Sequence, residues 1–168
     1  MSPPESKSRI NVRKAVPADK DAILDLVRGL AEYEKLPPPD HDAQQRLIRD
    51  MFLSPPRVQA YLGECDGIPV GYAFVFETYS SFLALPTLYL EDVFVLPKYR
   101  GMKVGYTLLA ALVQEAYQRG CGRMEWAVLD WNKPAIDFYT RLGARHMKEW
   151  QLFRLTRADM ESVLAQPK

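Results

Sequence analysis

The sequence predicts an α/β fold in three layers: a mixed, mostly antiparallel sheet with helices on both faces. Two observations predict it. Hairpin-like strand pairs come early and strand–helix units come late. No internal repeat or long linker divides the 168 residues, a length that suits one sizeable core. A flexible tail is expected over residues 1–9, followed by a single domain over residues 10–168.

The first strand is expected at Ile10 to Lys14. Pro17 suits a first helical position, and Asp19 and Asp21 suit the positive end of the helix that follows. Ile23, Leu26, Val27 and Leu30 recur at i, i+3, i+4 and i+7, so this helix buries one face before ending near Tyr33 and Glu34. Leu36-Pro37-Pro38-Pro39 forbids helix and forces an extended loop. Helix returns from Ala43 to Leu53, with Leu47 and Met51 inward. Val58 to Cys65 and Pro69 to Thr78 read as a hairpin joined by Asp66-Gly67. Tyr79 to Pro86 reads as a loop rich in aromatic and apolar residues.

The strand Leu88 to Val95 follows, rich in β-branched and aromatic residues, and Pro97 ends its ladder for want of an N–H. The next helix carries Val104, Leu108, Leu112 and Ala116 on one stripe and stops at Gly120 and Gly122. Met124 to Leu129 is the next expected strand. Asn132 is a good N-cap, Pro134 fits the first turn, and Gly143 suits the position just past the helix end. His146 to Leu155 reads as a last strand or strand pair. Thr156 and Asp159 resemble a capping box that opens a terminal helix.

Composition narrows the function classes. Net charge is +1, which gives no electrostatic case for nucleic acid or an anionic membrane. Two cysteines, Cys65 and Cys121, and two histidines, His41 and His146, offer no disulfide framework and no zinc spacing, so no metal is expected. Residues 1–8 have no apolar core of a signal peptide, and no apolar run reaches membrane-spanning length. A cytoplasmic protein is expected.

Leu88 to Gly105 concentrates the chemistry. Glycines after a strand let backbone approach a ligand, and a helix N-terminus presents unpaired N–H groups, a combination that suits pyrophosphate. Glu91 and Asp92 lie inside the strand, where an acid is unfavourable unless paired or solvated by a cleft. Regular alternation puts Asp92 on the face opposite Glu91; a bulge would change that.

Arg100-Gly101-Met102-Lys103-Val104-Gly105, followed by Asn132, Phe138-Tyr139 and Leu142-Gly143-Ala144, resembles the paired signatures of the GNAT superfamily of acyl-CoA-dependent N-acetyltransferases. Lys103 stands where the middle glycine is usual. Leu30-Ala31-Glu32-Tyr33-Glu34, Tyr89-Leu90-Glu91-Asp92, Trp131-Asn132-Lys133-Pro134 and Trp150-Gln151-Leu152-Phe153 resemble the spermidine/spermine and thialysine N-acetyltransferase branch.

This resemblance implies acetyl-CoA as cosubstrate. It implies that Phe94, Val95 and Leu96 pair with the pantetheine arm and that Arg100, Gly101, Met102, Lys103, Val104 and Gly105 hold the pyrophosphate, with Asn132 and Tyr139 also on the cofactor side. Tyr139 is the expected general acid and Glu91 the expected water-relayed base. Tyr33, Glu34, Glu91, Asp92, Glu149 and Trp150 are the expected acceptor contacts, cationic amines favouring carboxylates and aromatic faces. The acceptor is a small polyamine, diamine, thialysine or lysine-like amine. The alternatives are a protein or peptide amine and a non-catalytic acyl-CoA-binding regulatory domain. The branch also implies a homodimer formed through Trp150 to Leu155.

Overall fold

The computed structural model describes residues 8–166, so most of the tail expected over residues 1–9 lies outside the described residues. Arg9 exchanges hydrogen bonds with Asp66: its amide donates to the carboxylate at 2.8 Å, and its carbonyl accepts from the Asp66 amide at 2.9 Å. The chain divides into two compact units, one through Ala127 and one from Val128.

The first unit holds a five-stranded sheet in the order β1-β2-β3-β4-β5. The strands are β1 (Ile10–Lys14), β2 (Gln59–Cys65), β3 (Ile68–Ser80), β4 (Leu85–Val95) and β5 (Arg123–Glu125). Neighbours among β1 to β4 run antiparallel, and β5 is parallel to β4. Helices α1 (Lys20–Glu34), α2 (His41–Met51) and α3 (Val104–Gln118) complete the unit.

Alternation along β3 decides which helix packs where. Tyr72 and Phe74 share a face with their cross-strand partners Leu62, Ala60 and Phe94, and join Ile23, Leu26 and Met51 of α1 and α2 in one core. The opposite face receives α3. There Gly63 pairs with Gly71, and a Cβ on Gly63 would come within 2.8 Å of Val104 and 3.1 Å of Leu108. The paired glycines are the recess into which α3 sets its apolar stripe.

The loop expected at Tyr79 to Pro86 is shorter: β3 and β4 stay paired to Ser80↔Leu85, and only Ser81, Phe82, Leu83 and Ala84 form the turn between them. The strand expected at Met124 to Leu129 is confined to β5, whose ladder with β4 covers only Thr87↔Arg123 to Tyr89↔Glu125. Beyond Tyr89 no strand lies beside β4 on that edge among the described residues.

The second unit contains α4 (Lys133–Arg141) and α5 (Arg157–Leu164). Asn132 Oδ1 caps α4 by accepting from the Ala135 amide at 3.4 Å, and Gly143 ends it at φ 87°. Thr156 and Asp159 form the reciprocal capping box of α5. The strand expected at His146 to Leu155 is absent. The segment has no partner ladder among the five strands, and a strand without one leaves its polar backbone unpaired. No helix among the described residues is long and apolar enough to cross a membrane.

Candidate active site

The site grows from one irregularity in β4. Phe74 pairs with Asp92 and Val75 pairs with Leu90, so Glu91 is an extra residue outside the ladder. Leu90 lies on one face, opposite Val75. Asp92 lies on the other, opposite Phe74, and Glu91 bulges between them. Both acids consequently line one cleft of about 520 Å³. Val27 of α1, Leu47 of α2, and Val58, Phe74 and Phe76 give it apolar walls. Pro39, from the triple-proline loop, and Arg57 close its lining.

The acids are unequal. Glu91 is exposed. Asp92 is largely enclosed, and burial pushes its carboxyl up to about 6, assisted by repulsion from Glu91 and Glu34. The Tyr72 hydroxyl donates to Asp92 Oδ2 at 3.2 Å and opposes that rise by favouring the carboxylate. Burial alone pushes Glu34 up from its ordinary range. Glu34, Glu91 and Asp92 thus form one field of negative charge around the Tyr72 hydroxyl, whose own acidity burial suppresses. A cation placed in this field would relieve that repulsion; a neutral molecule would not.

The other end of β4 runs into the glycine turn. Pro97–Tyr99 makes a single 3-10 turn, Gly101 takes φ 82°, and Lys103 takes φ 68° as the N-cap of α3. The middle motif position therefore does adopt the left-handed conformation that favours glycine, and Lys103 occupies it with a side chain. That side chain makes no capping bond. The first intrahelical acceptance is by the Lys103 carbonyl, from Thr107, so the amides of Val104, Gly105 and Tyr106 point off the helix end. Met102 bends back instead, its amide donating to Tyr99.

Arg100 is placed differently from the other motif residues. Its Nε donates to the Val95 carbonyl at 3.1 Å, and its guanidinium sits 4.5 Å from the Tyr33 ring centre and 5.7 Å from that of Phe94. It pins the turn to α1 through backbone and aromatic contacts. Tyr33 serves that joint. Phe94 is buried against α1, so what it can offer a ligand is backbone. The Leu96 amide donates to the Val70 carbonyl at 2.9 Å.

Tyr139 lies on α4 in the second unit, its phenol pushed by burial up to about 12. It stays protonated across the neutral range. Asn132 starts the same helix. Glu149 and Trp150 lie in the irregular segment, both exposed, Trp150 at 76%. Among the described residues no group of three or more His, Cys, Asp or Glu could hold a metal ion.

Sequence reasoning missed Tyr72, Phe74, Phe76 and Arg57. Aromatic alternation in β3 was a usable signal for the first three. Arg57 had none, because its role depends on where the α2–β2 connection passes over the sheet.

The chain matches the acetyltransferase (GNAT) family over residues 23–144. It is 35% identical to a thialysine N-epsilon-acetyltransferase from Bos taurus, over 92% of this chain and 96% of that protein. It is 42% identical to an L-ornithine N5-acetyltransferase from Arabidopsis thaliana, over 58% of this chain and 43% of that one. Its fold matches that of an aminoglycoside N-acetyltransferase solved with CoA, at a TM-score of 0.74 and 20% identity, covering 91% of this chain and 98% of the other. The match spans the bulged strand, the glycine turn and the start of α3, and the chain belongs to the GNAT acetyltransferases.

Proposed function

We propose that this chain moves the acetyl group of acetyl-CoA to the primary amine of a small cationic acceptor, by direct attack while both are bound. The observation that carries this reading is the bulge at Glu91, which puts two adjacent carboxylates into the cleft beside a turn suited to pyrophosphate. Two of the relatives above, named for thialysine and ornithine, support an amine on a small molecule.

The residues divide the work. Backbone amides at the start of α3 face the pyrophosphate, with Lys103 adding charge. Asp92 and Glu34 hold the incoming ammonium. Glu91 takes one of its protons through water. The freed nitrogen attacks the thioester carbonyl carbon and sheds a second proton to water, the carbon–sulfur bond breaks, and Tyr139 gives its phenol proton to the departing thiolate, a proton the solvent later restores. Asn132 positions the helix that carries Tyr139. Glu149 and Trp150 are acceptor contacts in this reading.

The protein acts as a homodimer in the cytoplasm. Trp150, Leu152 and Phe153 are 76%, 78% and 86% exposed, an apolar surface of the kind that interfaces cover. Cys65 and Cys121 are free thiols, as a reducing compartment leaves them.

Saturating acetyl-CoA is expected to raise the melting temperature, while adenosine raises it much less. Release of free CoA is expected with small amines and not with peptides. A non-catalytic binding domain would show the thermal shift without the release, and an unmoved melting curve would remove the whole reading.

A further inference from the structure

The acceptor cleft is bipolar. Glu91 and Asp92 stand at one part of its lining, and Arg57 is the cation among the described residues that line it. Apolar side chains, Phe74, Phe76 and Val58 among them, line the same cleft. Arg57 has a fixed backbone and a loosely held head. Its amide donates to the Asp50 carbonyl at 2.9 Å, whereas its guanidinium reaches the Asp50 carboxylate only at 4.0 Å and is 74% exposed. That carboxylate already accepts from Arg49 Nε at 2.8 Å. Donors of Arg57 therefore remain available, in the planar fork that matches a carboxylate.

A simple diamine would bring a second ammonium into the cleft that holds this guanidinium. A diamino acid brings a carboxylate, then methylenes for the apolar walls, then the ammonium for the acids. We infer that Arg57 binds the carboxylate of the acceptor and sets a preference for diamino acids over diamines that lack it. The inference rests on the small-amine reading above and narrows it.

The test compares kcat/KM for L-lysine against cadaverine and L-ornithine against putrescine, pairs that differ only in the carboxylate. Wild type is expected to favour the amino acid of each pair. Arg57→Gln should lower that preference by about fivefold, the range of an exposed ion pair, and Arg57→Glu should lower it further, while the rate with cadaverine holds or rises. Arg57→Lys should retain most of the preference. L-lysinamide on wild type is an arm that needs no variant, and it should behave like cadaverine. Equal ratios for wild type and Arg57→Glu, or lysinamide performing as well as lysine, would overturn the inference and leave the acetyltransferase reading standing. No CoA release with any of these amines would overturn both.

Discussion

The Tyr72 hydroxyl and the Asp92 carboxylate meet at 3.2 Å, on the cleft face of adjacent strands. Burial raises the carboxyl and the phenol's hydrogen bond lowers it, and burial is the larger effect. Tyr72→Phe removes the lowering contribution. The Asp92 carboxyl should then titrate above its present value of about 6. In the proposed reading the carboxylate form holds the ammonium, so the acid limb of the kcat/KM profile should move to higher pH. An unmoved limb would mean that Asp92 does not govern acceptor capture.

Asp92→Asn should stabilise the protein at alkaline pH while impairing it as an enzyme. The folded-state carboxyl sits at about 6, above the ordinary 3.8. The stability linked to this group is therefore fully present below about pH 4 and is lost as pH rises through about 6. Above that, the buried charge costs the folded state up to about 3 kcal/mol. The variant should melt higher than wild type at about pH 8, with the gap closing in acid, and kcat/KM should fall. A melting gap independent of pH would refute this.

Tyr139→Phe should lower kcat by about two to four orders of magnitude with little change in acetyl-CoA affinity, since a positioned proton donor is lost while the ring still packs. Glu91→Gln should behave otherwise. Its deficit should shrink as pH approaches the acceptor's own pKa, roughly 10 for a lysine-like amine, because free amine needs no base. Full activity of Glu91→Gln at neutral pH would transfer the base role to Asp92 or to solvent.

Lys103→Gly should fit its backbone well, because the residue already holds φ 68°. The affinity for acetyl-CoA should still drop by up to about fivefold at low salt, and the difference should fade at high ionic strength. A salt-independent loss would point to backbone geometry rather than charge.

Gly71→Ala should destabilise the fold by about 1–3 kcal/mol. Its new Cβ would meet the Phe94 carbonyl oxygen at 2.8 Å, and backbone gives way less readily than a side-chain tip. Thermal melting would register the loss; an unchanged midpoint would mean that β3 and β4 separate at little cost.

Much of this arrangement was legible in the residues. Apolar spacing in α1 and α3, the Asn132 cap and the Thr156–Asp159 box are local signals, and local geometry followed them. Glu91, Asp92 and the glycine turn could be singled out because an acid in a strand and glycines before a helix need a reason. Three things could not be read. The Tyr79 to Pro86 stretch has strand composition, but only pairing to β4 decides strand from loop. The missing strand at His146 to Leu155 turned on the absence of a neighbour, which no local pattern records. Arg57 joins the cleft through tertiary placement alone.

The extra residue in β4 also separates two kinds of change. A regular strand shows a given face only at every second position, so substitution alone cannot bring consecutive acids to one side. Removing Glu91 would leave Leu90 and Asp92 as ordinary ladder neighbours on the faces they already occupy. The sheet would close over the gap with its core unaltered and its pocket short of one charge. The acidity of this pocket can thus be set by length as well as by composition: a gain or loss of a single codon at that point tunes the chemistry without asking any packed residue to move to the other side.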